Sequence, residues 1–406
     1  MSILAYAWRN LGRNRKRTMI TLTSLAFATA VLIVSFALLD GLIGDIENNI
    51  TSISAGEVQI HAPGYFDERS LYRTLDDPAG ILRIVEQSAA KAAPRSYGDG
   101  LLARDVRSSG CRFWGVDPAA ERKAFSLPER ILAGAFLSDQ PEREIVLGEN
   151  LAHSLRAGVG DELDAVVQAA DGSLGNEVFI LRGILQTSGA EIDLSAAIIH
   201  ERDFADLFVS GGAVHEIAVN SGGRISADRL RNRIRAAAPG VDVKTWREIL
   251  PLFAGTVQNA RKAVWVFSIC FFLVAGLGIT NTMLMATYER TREFGIMKAL
   301  GTAPRRIIGM ILAESALLCL CATIAGAALG AAASLYLADT GLDLGGFPIK
   351  MKMTTFIHSA VWRAALGWKN IMLPVLCIWA VCIPAALYPA LTAARLDPVR
   401  TLHGRY

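Results

Sequence analysis

Four long apolar runs constrain this chain more than any other feature. Residues 19–39 and 263–285 contain no charged side chain, 307–337 contains Glu314 alone, and 371–391 is apolar but carries Pro374, Pro384 and Pro389. A helix of about 20 residues crosses the hydrocarbon core of a bilayer, so each run is long enough to span one. Hydrophobic residues make up 52% of the chain and charged residues 19%, below the usual quarter, which places it among membrane proteins and excludes collagen-like and disordered classes. The first run also resembles a signal peptide, with Arg13, Arg15, Lys16 and Arg17 ahead of it and Ala28, Thr29 and Ala30 inside it. It continues well past Ala30, where a cleaved segment would end, so an uncleaved anchor is expected.

Charge divides the chain along the same lines. Residues 42–260 hold 22 Lys plus Arg and 31 Asp plus Glu, whereas the remainder holds 19 and 7. An acidic soluble domain is therefore expected on a basic membrane part, whose charge suits anionic lipid headgroups rather than nucleic acid. Arg9, Arg13, Arg15, Lys16 and Arg17 lead the first run, and Arg290, Arg292, Lys298, Arg305 and Arg306 lie between the second and third. With Arg395, Arg400 and Arg405 in the tail, these residues put both termini and the 286–306 segment in the cytoplasm and the large domain outside. The 339–370 loop opposes this assignment with Lys350, Lys352, Arg363 and Lys369; its Trp362 and Trp368 read as interfacial anchors.

Within 42–260 a strand, helix, strand order occurs twice. Residues 57–61 read as a strand, 77–92 as an amphipathic helix with Ile81, Ile84 and Val85 inward, and 97–103 as a strand. Residues 216–220, 226–237 and 241–246 repeat the order, with Ser226 as helix cap and Leu230 and Ile234 inward. Between them, 105–210 reads as β-rich, for example at 179–185 and 196–199. Only Cys111 of the six cysteines lies in this domain, so it closes no internal disulfide.

Catalytic motifs are missing. No G-x-x-x-x-G-K-[ST] occurs in the 406 residues, and His215-Glu216 starts like a zinc-protease helix but has Val219 where the second histidine would stand. Gly276 and Gly278 lie inside a span and read as packing devices, and the six histidines show no ligand spacing. The segment after the second run is more informative. Glu289, Arg290, Arg292, Glu293 and Lys298 alternate with Phe294, Ile296, Met297 and Leu300 at helical spacing, giving a short helix whose apolar edge, Phe294 and Met297 foremost, has no evident internal core. A protein groove and the inner leaflet both suit such an edge, and Ile296 and Met297 fit an inward face equally well.

Residues 289–301, Glu-Arg-Thr-Arg-Glu-Phe-Gly-Ile-Met-Lys-Ala-Leu-Gly, resemble the signature of the FtsX-like permease family, the MacB and LolC/LolE class of ABC transporter membrane subunits. The resemblance extends to Ala7-Trp8-Arg9-Asn10-Leu11, to 311–318 with Gly326 and Gly330, and to 388–399. It implies an α-helical membrane protein with four transmembrane helices plus a large α+β extracytoplasmic domain, porter-like with an inserted β-rich subdomain. The division is 1–18 cytoplasmic or interfacial helix, 19–41 first span, 42–260 periplasmic domain (42–104 and 211–260 porter-like, 105–210 inserted), and 261–285 second span. Then follow 286–306 cytoplasmic coupling helix, 307–338 third span, 339–370 periplasmic loop, 371–392 fourth span and 393–406 cytoplasmic tail.

The resemblance further implies a non-catalytic permease in a bacterial inner membrane, with ATP and Mg held by a separate cytoplasmic ABC ATPase dimer and no cofactor in this chain. Glu289, Arg292, Glu293, Phe294, Met297 and Lys298 would contact that ATPase, and helical extensions at 40–50 and 246–262 would carry motion to the external domain. A second permease copy or a paralogue is expected beside this one, with lipoprotein as the leading cargo and a periplasmic acceptor as a possible further partner. Peptide or macrolide efflux, and non-transporting regulation of a cell-wall hydrolase, are the alternatives. Gly326 and Gly330 permit close helix approach, in the chain's own bundle or in a permease dimer. Glu314 is expected to have a structural partner or to reach the interface rather than to carry ions.

Overall fold

The 19–39 run is helical well beyond its last apolar residue: helix α1 runs Arg15–Ile50, 36 residues, or about 54 Å at 1.5 Å per residue. The computed structural model describes residues 15–187, 190–343 and 361–396. The opening motif at 7–11, His358, His403 and the end of the closing motif at 397–399 lie outside the described residues. The described residues divide into a helical unit, 15–44, 256–343 and 361–396, and an α+β unit within 45–255.

In the α+β unit, a π-helical turn, Thr51–Ala55, leads to β1 (Val58–His61). Helix α2 (Pro78–Gln87) follows, started by Pro78 and by Asp77, whose carboxylate accepts from the Gly80 N–H. Strand β2 is the long Lys91–Arg104 and pairs from Arg95 onward with β3 (Arg107–Val116). Helix α3 (Pro118–Ala124), β4 (Ile131–Gly134), β5 (Glu144–Gly148) and α4 (Glu149–Leu155) come next. Strands β6 (Glu162–Gln168) and β7 (Leu174–Leu185) precede α5 (Ala190–Ser195), β8 (Ala196–His200) and α6 (Glu201–Leu207). The unit ends with β9 (Glu216–Asn220), α7 (Ala227–Ala237), β10 (Asp242–Thr245) and α8 (Trp246–Ile249).

The two strand, helix, strand repeats interleave. Strands β10, β1, β9 and β2 lie side by side in that order, all antiparallel, which is the split βαβ arrangement. Ile81 and Val85 of α2 and Leu230 and Ile234 of α7 bury against Val58, Ile60, Ile217, Val219 and Val243. Ser226 stands at the start of α7 as expected, yet its side chain makes no capping hydrogen bond. The 105–210 stretch continues this sheet. The first half of β2 pairs with β9 and residues 100–103 with β6, while β3 carries β8, β5, β7 and β4 onward. A single strand thus belongs to both halves. A second core, with Phe113, Leu163, Phe179, Leu181, Phe204 and Phe208, fills the inserted part.

In the helical unit, α9 (Pro251–Glu289), α10 (Thr291–Ala299), α11 (Pro304–Thr340) and α12 (Trp368–Arg395) follow, with a short pair of strands, β11 (Leu342–Asp343) and β12 (Val361–Trp362), between the last two. Helices α1, α9, α11 and α12 are long and apolar enough to cross a membrane. Leu25, Leu32, Phe272, Ile279, Met283, Leu318, Ala322, Ile378 and Ala386 bring all four into one core. The helices approach closely where glycine allows it. A Cβ on Gly326 would lie 2.5 Å from the Ala26 carbonyl oxygen of α1, and one on Gly330 would lie 3.0 Å from Ile33 Cβ. Both glycines therefore serve packing of α11 on α1 within this chain. Pro389 has no N–H to offer the Ala385 carbonyl; the Thr280 hydroxyl of α9 lies 3.2 Å from that oxygen and 2.9 Å from the Gly276 carbonyl of its own helix, so its one proton is shared between them.

Candidate functional site

Helix α10 links the second and third apolar helices, and its sequence fixes both of its ends. At the C-terminus, Gly301 has φ +87°, its N–H donates to the Lys298 carbonyl at 3.0 Å, and the Thr302 N–H donates to the Met297 carbonyl at 2.9 Å. This is a Schellman stop, which explains Leu300-Gly301 by backbone geometry. Pro304 then opens α11 in the first-turn position that suits it.

Three contacts lock α10 against the apolar helices. Phe294, 1% exposed, inserts among Ile307 and Ile311 of α11 and Ala390 and Ala393 of α12, with Met297 packed partly against the same cluster. Lys298 Nζ donates to the Ala394 carbonyl at 2.8 Å and the Leu396 carbonyl at 2.6 Å, where the end of α12 leaves carbonyls in need of donors. Arg290, at the junction of α9 and α10, pairs through Nη1 with Glu314 Oε2 at 3.0 Å and through Nε with Glu293 Oε2 at 3.2 Å, while its guanidinium lies 5.2 Å from the Phe294 ring centroid. Glu314 thus has the structural partner expected of a lone acid in an apolar helix.

The opposite face is open. Tyr288, Glu289, Arg292, Ile296, Ala299 and Leu300 are exposed, a stripe at i, i+4 spacing with Ile296 43% and Leu300 82% exposed. The six candidate contact residues divide between the two faces. Phe294 lies in the internal core that the sequence did not reveal, Met297 is half-buried beside it, and Glu293 and Lys298 are engaged within the chain. Only Glu289 and Arg292 of the six candidates stand on the exposed face, and the apolar edge belongs to Ile296 and Leu300. Arg290 was missed as a site residue. The available signal was charge matching: it is the first cation after an apolar run, three residues before Glu293, with Glu314 the one acid in the next run.

A second charged cluster, unforeseen in the sequence, lies in the α+β unit. Arg95 of β2 is fully buried, with Nε and Nη2 on the Glu121 carboxylate at 2.5 and 3.1 Å and Nη1 3.2 Å from Glu216 Oε1. Burial opposes the Arg95 charge, but Glu121 outweighs it and holds the guanidinium firmly protonated. Burial raises Glu216 above the usual carboxylate range and pushes His61 down to about 3. The His61 Nδ1 lies 3.0 Å from the His215 carbonyl, and His215 Nε2 lies 2.9 Å from the Leu71 carbonyl. Both are hydrogen-bonded, and burial keeps both neutral. Among the described residues no group of His, Cys, Asp and Glu is arranged to hold a metal.

Comparison with known proteins gives two family matches. Residues 18–237 match the MacB-like periplasmic core domain and residues 265–398 the FtsX-like permease C-terminal region. The lipoprotein-releasing system transmembrane protein LolC of Neisseria meningitidis is 24% identical over 77% of this chain and 76% of its own length. The pyoverdine export ATP-binding/permease protein PvdT of Pseudomonas putida is 24% identical over 98% of this chain and 59% of its own. The macrolide export ATP-binding/permease protein MacB of Bdellovibrio bacteriovorus is 23% identical over 98% and 60%. The chain spans about three-fifths of the length of these last two relatives.

Proposed function

The chain belongs to the family of MacB-like and FtsX-like ABC transporter permeases, and from that premise we propose that it is the membrane subunit through which a separate cytoplasmic ATPase drives motion of the α+β unit. The observation that carries this reading is the two-sidedness of α10: one face locked to α11 and α12, the other presenting Glu289, Arg292, Ile296 and Leu300. A partner gripping the exposed stripe would move those two helices with it, because Phe294, Lys298 and the Arg290–Glu314 pair leave α10 little independent freedom. ATP and Mg belong to the partner in this scheme, and the α10 side is cytoplasmic, a placement that the Lys and Arg excess around α10 supports.

The cargo we favour is a lipoprotein released from the inner membrane, because the LolC relative matches over three-quarters of its own length. Export of a small molecule is the second reading, favoured by the PvdT and MacB matches along 98% of this chain. Purification of the tagged full chain from its native membrane into nanodiscs, followed by mass spectrometry of bound proteins, separates them. An ATPase with acylated lipoproteins supports the favoured reading. An ATPase with a periplasmic adaptor, or with a cell-wall hydrolase, and no lipoprotein refutes lipoprotein release; absence of any ATPase refutes the coupling scheme.

A further inference from the structure

The α+β unit contains a cavity of about 160 Å³ whose charged lining is already matched within the chain. Arg95 Nη1 lies 3.2 Å from Glu216 Oε1, and its Nε and Nη2 hold Glu121. Arg112 Nε is 3.5 Å from Asp99 Oδ1, and Arg69 has an interaction of its own. The neutral polar groups are engaged too: His61 Nδ1 lies 3.0 Å from the His215 carbonyl, and the Gln59 amide donates to the Ala55 carbonyl at 2.9 Å. An ion entering here would lose its hydration and find no unmatched charge in return, so the cavity selects against charged ligands.

Its apolar lining is what stays unmatched. Ile50 and Ile53, ahead of β1, and Leu250, after α8, border the void and forfeit the dispersion contacts that a filled interior supplies. Five ring residues, His61, Tyr65, Phe66, Tyr97 and Trp114, line it as well. They already meet in favoured geometries: His61 and Tyr65 stack with centroids 4.7 Å apart, and Tyr97 meets Trp114 edge to face at 5.4 Å. A further ring adds to such a cluster through the same face and edge contacts. The volume is close to that of a dry apolar cavity that holds benzene, about 150 Å³. We propose that this cavity is a binding site for a small uncharged aromatic molecule, a single ring with at most a small substituent, held against Ile53, Leu250, Tyr97 and Trp114. The site belongs to the α+β unit and is independent of which cargo the transporter carries.

The probe is para-fluorophenol, which is uncharged near neutral pH because a phenol titrates at about 10. Followed by fluorine NMR with the full chain in zwitterionic nanodiscs, it should bind saturably with Kd below about 5 mM, over and above uptake by empty nanodiscs. Phenol should displace it. Benzoate and benzylammonium should compete at least about tenfold more weakly than phenol, and cyclohexanol about threefold more weakly or worse. Ala55→Leu and Leu250→Trp, which add carbons to residues lining the cavity, should each weaken binding about tenfold or more by occupying the space the ring would fill. Uptake equal to that of empty nanodiscs would overturn the proposal, as would benzoate, benzylammonium or cyclohexanol competing as well as phenol, or unchanged affinity in a folded variant of either kind. If circular dichroism shows that neither variant folds, the competitor series on the native chain decides the matter alone.

Discussion

Removing one partner of the Arg290–Glu314 pair should destabilise the helical unit more than removing both. The two side chains are 9% and 11% exposed and their charged atoms are 3.0 Å apart, so with an effective dielectric constant near 20 their attraction is about 5.5 kcal/mol. Most of it offsets the loss of hydration on burial, and the larger effect appears when one charge stays behind unpaired. Arg290→Met leaves Glu314 without its guanidinium and also removes the contact with the Phe294 ring, for a cost of about 3–5 kcal/mol. Glu314→Leu should fall at the low end of that range, because Arg290 retains Glu293, which is 37% exposed and hydrated. The double variant Arg290→Met/Glu314→Leu leaves no buried charge at this place and should cost about 2 kcal/mol or less, giving a coupling energy of at least about 4 kcal/mol. Reversible unfolding of the full chain in bicelles, followed by circular dichroism for all four members of the cycle, measures it. Single costs that add to the double within about 0.5 kcal/mol would refute the claim that the pair holds the α10 junction.

Three other outcomes follow from the same structure. Phe294→Ala should lower stability by about 3–5 kcal/mol through the void left among Ile307, Ile311, Ala390 and Ala393, whereas Arg292→Glu with Ile296→Asp should leave stability within about 0.5 kcal/mol and abolish ATPase co-purification. Gly326→Leu should disrupt packing of α11 on α1, lowering the unfolding midpoint, because the first added carbon already falls 2.5 Å from a backbone oxygen. His61, held at about 3 against an ordinary 6.5, stays neutral in the folded α+β unit while the unfolded chain takes up a proton as pH falls through 6.5. Its contribution is therefore intact above 6.5 and about 1.4 kcal/mol is lost between pH 7.5 and 5.5. His215, also lowered by burial, adds in the same direction, and Glu216, raised by burial, opposes both. Urea midpoints at the two pH values should show this loss in the native chain and a smaller one in His61→Gln; equal losses refute it.

The four apolar helices and the two interleaved repeats were legible in the sequence because each depends on periodicity within one segment. Ile81 and Val85, or Leu230 and Ile234, point inward by spacing alone, and they are the residues that bury. The interior of the α10 site was not legible, because Phe294 is covered by residues more than 90 positions away on α12 as well as by α11. A short helix with apolar residues on several faces does not reveal which face is covered. The Arg95–Glu121–Glu216 cluster was hidden for a similar reason: its members lie on β2, α3 and β9, and only the sheet order brings them together. The strand expected at 97–103 is the second half of β2, because Pro94, Gly98 and Gly100 obscure a strand that runs from Lys91 to Arg104.

The central claim, that the exposed stripe of α10 receives an ATPase, is tested most directly by site-specific photocrosslinking in native membranes. A photoreactive residue at Ile296 or Leu300 should capture an ATP-binding subunit, and one at exposed Trp368, at the opposite end of α12 from the α10 contact, should not. Capture of lipid alone at both α10 positions, or of the ATPase at Trp368 instead, would contradict the account.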